Sequence, residues 1–157
     1  MAIVCKRILL VEDSLQFRRF VVGALQSCSC GLQVVGEVAD GVAAVEQAQA
    51  LSPDLVLLDI GLPRLNGIEV ARAIRERCPG SKILFLSQES SYDLVQAALS
   101  TGADGYVLKM AAGRELIPAV KATLRGERFV SKAVLPRPDS PGDRNDELWQ
   151  RALPTIA

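Results

Sequence analysis

Short apolar runs alternate with amphipathic stretches five times along this chain, the pattern of a repeated strand–helix unit built on a parallel sheet. Leu55-Val56-Leu57-Leu58 is apolar without a break and reads as a strand buried on both faces. By the same reasoning the first strand covers about residues 7–11, the second 32–38 and the fourth 82–86, with a short fifth strand after Gly105. Ser14 is a good N-cap for the first helix. Phe17, Phe20, Val21, Ala24, Leu25 and Cys28 recur on one face of that helix, which Gly31 ends. Asp40-Gly41 opens a second helix closed by Ser52-Pro53, and a third runs through Val70, Ala73, Ile74 and Arg77 to Cys78-Pro79-Gly80. The fourth spans about residues 91–100 and the last about 115–124, which puts Pro118 near a first turn, where backbone N–H groups are free anyway. The expected class is α/β.

The ends of the strands carry the chemistry. Leu55 to Leu58 runs into Asp59, Leu9-Leu10-Val11 into Glu12-Asp13, Ile83 to Leu86 into Ser87, and Tyr106-Val107-Leu108 into Lys109. A charge ends an apolar strand cheaply where it emerges at the carboxyl edge of the sheet, the edge at which α/β proteins hold ligands. Taken alone, Asp59 fits a nucleophile, a metal ligand or a structural cap. Glu12 and Asp13 add two adjacent carboxylates, and crowded like charges call for a divalent cation. An all-oxygen set favours Mg²⁺ or Mn²⁺ over zinc. A carboxylate, a metal, a lysine and a hydroxyl together suit phosphoryl transfer to aspartate, where catalysis is mainly positioning and charge neutralisation.

Composition narrows the alternatives. Eighteen basic and eighteen acidic residues cancel, so no overall field draws the chain to nucleic acid or a membrane surface. No apolar run approaches the roughly 20 residues of a membrane span, and the first residues do not form a signal peptide; the expected setting is the cytoplasm. The absence of histidine removes mechanisms that need an imidazole base. Cys28-Ser29-Cys30 lacks the spacing of common zinc or redox pairs, so Cys5, Cys28, Cys30 and Cys78 are expected as reduced thiols. Arg18-Arg19 reads as a solvated helix face.

These motifs resemble the receiver domain of two-component response regulators over about residues 6–130. The resemblance rests on Val11-Glu12-Asp13-Ser14, on Leu57-Leu58-Asp59-Ile60-Gly61-Leu62-Pro63 with Asn66-Gly67, on Leu86-Ser87, and on Gly102-Ala103-Asp104-Gly105-Tyr106-Val107-Leu108-Lys109. The last stretch is most similar to the subfamily with a LuxR-type helix-turn-helix output. The resemblance implies a flavodoxin-like (βα)5 three-layer sandwich of parallel strands in the order 2-1-3-4-5. It implies that Asp59 accepts a phosphoryl group from a sensor histidine kinase, a phosphotransfer protein or a small acyl phosphate. Glu12, Asp13, Asp59 and the Gly61 carbonyl are then the Mg²⁺ ligands. Lys109 pairs with one phosphoryl oxygen, Ser87 bonds another, and Tyr106 moves inward as part of a switch that a downstream protein partner reads. A homodimer is left open.

Departures from the family pattern lie later in the chain. Residues 1–130 are expected to form the receiver domain, and residues 131–157 a proline-rich linker with a short tail that could include one helix carrying Trp149. No basic recognition helix follows Phe129 and a helix-turn-helix needs about 60 further residues, so direct DNA binding is not expected of this chain. Gln88 stands where the family often has a small residue, and its bulk is expected to slow phosphoryl exchange. Two other classes share part of this pattern. One is a receiver fold serving only as an interaction module. The other, an aspartyl-phosphate hydrolase, normally has a second aspartate two residues after the first, a position held here by Gly61.

Overall fold

The computed structural model describes residues 5–134. Six parallel strands, β1 (Lys6–Val11), β2 (Leu32–Val38), β3 (Leu55–Asp59), β4 (Lys82–Ser87), β5 (Gly105–Leu108) and β6 (Phe129–Val130), lie in the order β2-β1-β3-β4-β5-β6. Five helices connect them: α1 (Leu15–Ser27), α2 (Gly41–Leu51), α3 (Gly67–Arg77), α4 (Tyr92–Leu99) and α5 (Ala112–Leu124). The flavodoxin-like order holds for the first five strands, and the sheet gains a sixth beyond them. Two residues are too few to show an alternating pattern, which is why β6 is not visible in the sequence.

The period of two along each strand sorts side chains into two cores. Leu9, Val11, Val56, Leu58, Ile83, Phe85, Tyr106 and Leu108 pack with α2, α3 and α4 through residues such as Val45, Ile74 and Val95. Ile8, Leu10, Leu55, Leu57, Leu84, Leu86 and Val107 pack with α1 and α5 through Val21, Leu25, Leu116 and Val120. Every residue of β3 is buried, as its unbroken apolar run requires. Side chains accept the first N–H groups of three helices: Ser14 from Phe17 on α1, Asp40 from Ala43 on α2 and Asn66 from Glu69 on α3.

Several local expectations are corrected. Helix α5 begins at Ala112 rather than near Glu115, so Pro118 sits in its second turn. Its ring lies on the exposed side, where the Arg114 carbonyl that loses its helical partner can reach water. Phe20 is exposed rather than in the core and stacks at 5.6 Å on Phe17. Arg18 is half-buried, donating to the Glu12 carbonyl at 3.1 Å and pairing with Glu37 at 3.7 Å. Cys28 and Cys30 lie close together across Ser29, with Cα atoms 5.2 Å apart, where the chain turns between Ser27 and Gly31; Cys5 and Cys78 are free thiols. Ser131 and Val134 are buried. The proline-rich linker, the tail helix and Trp149 lie outside the described residues.

Candidate functional site

Strand register brings the polar strand ends together. Val11 pairs with Leu58, so the next residues, Glu12 and Asp59, emerge side by side between β1 and β3. Asp59 pairs with Leu86, and Ser87 with Leu108, which places Ser87 and Lys109 along the same edge. The result is a cleft of about 300 Å³ lined by Glu12, Asp13, Asp59, Gly61, Ser87 and Lys109, with Gln88 and Glu89 at its rim. One carboxylate oxygen each from Glu12, Asp13 and Asp59 fall within 4.8 Å of one another. That spacing and the all-oxygen donor set fit a hard divalent cation such as Mg²⁺.

The loop after β3 is folded tightly enough to dictate its residues. Gly67 donates to the Ile60 carbonyl at 2.8 Å, and a Cβ there would lie 2.2 Å from the Asp59 carbonyl oxygen. Only glycine allows the start of α3 to lie so close to the backbone of Asp59. The Gly61 N–H points back to Asp59 Oδ1 at 3.4 Å.

Lys109 is the electrostatic centre of the site. Its Nζ stands 2.8 Å from Glu12 Oε2 and 3.3 Å from Asp59 Oδ2, and a face of the Phe17 ring lies 4.7 Å away. One ammonium, itself seated over the face of an aromatic ring, thus offsets part of the charge of two buried carboxylates. Glu12 is only 1% exposed, and burial raises its pKa above the usual carboxylate value. The Lys109 ammonium and the Ser14 N–H oppose that shift, while the Asp59 charge adds to it. Ser14 donates to Glu12 Oε1 at 3.0 Å, so the residue that caps α1 also orients this carboxylate.

Tyr106 does not line the cleft but lies fully buried behind Ser87. Its phenol donates to the Glu89 carbonyl at 2.7 Å, and Ser87 Oγ accepts the Glu89 N–H at 3.1 Å. The two side chains therefore hold opposite sides of one backbone residue at the cleft rim. Burial, chiefly, pushes the phenol pKa up to about 12; the Ser87 hydroxyl opposes the shift, and the charges of Glu89 and Asp59 add to it. Sequence patterns did not reveal the parts played by Glu89 and Phe17. Glu89 acts through its backbone, which residue type does not show, and Phe17 carries the spacing of an ordinary core position.

Comparison with known proteins agrees with this architecture. Residues 8–121 match the response regulator receiver domain model. The nitrate/nitrite response regulator protein NarL of Escherichia coli K12 is 36% identical over 129 residues, covering 82% of this chain and 59% of the relative. The chain thus spans well under two thirds of that relative's length. Among solved structures, the signal receiver domain of the putative response regulator NarL from Mycobacterium tuberculosis superposes with a TM-score of 0.73 at 36% identity. It covers 78% of this chain and 98% of that one. A LuxR-family two-component response regulator from Aurantimonas sp. SI85-9A1 gives 0.77 at 33% identity, covering 83% of this chain and 92% of the other. With most of its length matched by the family model, this chain belongs to the response regulator receiver domain family of two-component signalling systems.

Proposed function

We propose that the chain is switched by phosphorylation of Asp59. The observation that supports this reading best is the convergence of Glu12, Asp13 and Asp59 in one cleft, with Lys109 in contact with two of the three. In this reading a carboxylate oxygen of Asp59 attacks the phosphorus of a phosphohistidine or an acyl phosphate. The bond from phosphorus to the donor's nitrogen or oxygen breaks, and its electron pair leaves with the donor. Lys109 then shares its charge with a phosphoryl oxygen, and the Ser87 hydroxyl donates to another. Glu12, Asp13, Asp59 and the carbonyl of Gly61 would hold Mg²⁺, which when bound neutralises the crowded carboxylates and the incoming phosphate.

The output side of the reading rests on Glu89. Moving the Ser87 oxygen toward a phosphoryl oxygen draws it away from the Glu89 N–H that it now accepts. The loop between β4 and α4, also held by Tyr106, then shifts its balance between two arrangements. A sensor histidine kinase or phosphotransfer protein in the cytoplasm supplies the phosphoryl group, and a protein partner reads the change around α4 and β5. Catalysis is confined to the chain's own phosphorylation and hydrolysis.

Incubation with acetyl phosphate and Mg²⁺ should add the mass of one phosphoryl group, and chelation with EDTA should prevent it. Asp59→Asn should take up none. Undiminished uptake by that variant would reject the assignment.

A further inference from the structure

The strand that delivers Lys109 is finished by a side chain rather than by a backbone ladder. β6 gives β5 only two paired positions, Gly105 with Phe129 and Tyr106 with Val130, before the chain turns away through residues Lys132–Val134. The Leu108 N–H, next along the β5 edge, therefore meets no β6 carbonyl. Ser131 Oγ accepts it instead at 2.9 Å. The Ser131 N–H donates to the Tyr106 carbonyl at 2.8 Å, so one residue holds β5 on both sides of Val107. Ser131 is fully buried, and its hydroxyl proton goes to the carboxylate of Glu115 near the start of α5.

We propose that Ser131, oriented by Glu115, is a positioning residue for Lys109. The turn Lys109–Ala111 joins β5 to α5, and a single hydroxyl ties together the backbone just before it and the helix just after it. A hydroxyl has one proton and two acceptor sites, so it can accept from Leu108 and donate to Glu115 at once. A backbone carbonyl could do only the first. Fixing both ends of the turn fixes the root of the Lys109 side chain, whose tip must reach Glu12 and Asp59 together. Ser131 also lies where the chain leaves the sheet, so the segment after β6 starts from a group bonded to the residue beside Lys109.

The test uses the full chain with Ser131→Ala, Ser131→Thr, Lys109→Met and the Ser131→Ala/Lys109→Met double variant. The first measurement needs no phosphoryl donor: NMR of the Lys109 side-chain carbons and hydrogen exchange of the Leu108 amide. In Ser131→Ala the Lys109 resonances should move toward those of a solvated lysine and Leu108 should exchange about tenfold faster or more; Ser131→Thr should restore both. The second measurement is the rate of phosphorylation by acetyl phosphate, which rests on the Asp59 reading. Ser131→Ala should lower the saturating rate about tenfold while leaving the half-saturating donor concentration unchanged, and should add nothing in the Lys109→Met background. Unmoved Lys109 resonances in folded Ser131→Ala overturn the proposal, as does an equal slowing in both backgrounds. If the wild type takes up no phosphate, the Asp59 reading fails, while the Lys109 resonances still decide the role of Ser131.

Discussion

Replacing Lys109 by methionine keeps most of its apolar stem and removes one charge from a site that holds two carboxylates. At an effective dielectric of about 20, a unit charge pair at the Glu12 contact distance of 2.8 Å is worth about 6 kcal/mol, and at the Asp59 distance of 3.3 Å about 5 kcal/mol. Much of this gross attraction offsets the cost of removing the three groups from water. What matters in the variant is the remainder: Glu12, 1% exposed, and Asp59, 7% exposed, face each other with no cation between them. Removing one partner of a buried pair costs about 3–5 kcal/mol, and the open cleft argues for the lower end. With a urea dependence of about 1.5 kcal/mol per molar, Lys109→Met should lose about 2 M in its unfolding midpoint in EDTA. Mg²⁺ should then recover more stability in the variant than in the wild type, because the ion no longer competes with the ammonium. At one hundred times its dissociation constant it supplies about 2.7 kcal/mol. Urea unfolding followed by circular dichroism, with and without Mg²⁺, measures both quantities. A variant as stable as the wild type in EDTA, or an equal Mg²⁺ effect on the two proteins, would refute this electrostatic account.

Other consequences are equally open to measurement. Gly67→Ala forces a Cβ against the Asp59 carbonyl oxygen and should cost about 3 kcal/mol, read as a fall of about 10 °C in Tm. Because the Tyr106 pKa is raised to about 12, the folded state keeps a proton that the unfolded chain loses near pH 10. Stability should therefore fall as pH rises from 10 to 12, by about 2–3 kcal/mol in total. Tyr106→Phe should remove that fall in alkaline urea titrations while costing about 1 kcal/mol at pH 7 through the lost bond to Glu89; an unchanged alkaline slope would contradict it. Gln88→Ala should speed labelling by acetyl phosphate severalfold by opening the rim of the cleft, and equal rates would dismiss any screening by Gln88.

Much of the fold was legible because each central strand is buried on both faces. Leu55 to Leu58 cannot be anything but apolar where two helical layers close over it, and the same demand makes the following Asp59 conspicuous. Glu12, Asp13, Ser87 and Lys109 stood out for the same reason: a polar residue interrupting a core strand marks the edge of the sheet. What sequence patterns hid was interaction that carries no period. β6 is too short to alternate, and Pro118 is tolerated inside α5 because its ring faces water, a fact of placement rather than composition. Phe20 keeps helical spacing with the core positions yet falls outside the core, since α1 turns a narrower face to the sheet than its apolar residues span. Ser131 and Glu115 look like any surface serine and glutamate; only the return of the chain beside β5 buries the hydroxyl against Leu108.

The most direct test of the central claim is to locate the phosphoryl group. The chain would be labelled with acetyl phosphate and Mg²⁺, treated with borohydride to reduce acyl phosphate to the alcohol, and mapped by peptide mass spectrometry. Asp59, and no other acidic residue, should be recovered as homoserine. Reduction at Glu12 or Asp13, or an Asp59 peptide unchanged in fully labelled protein, would contradict it.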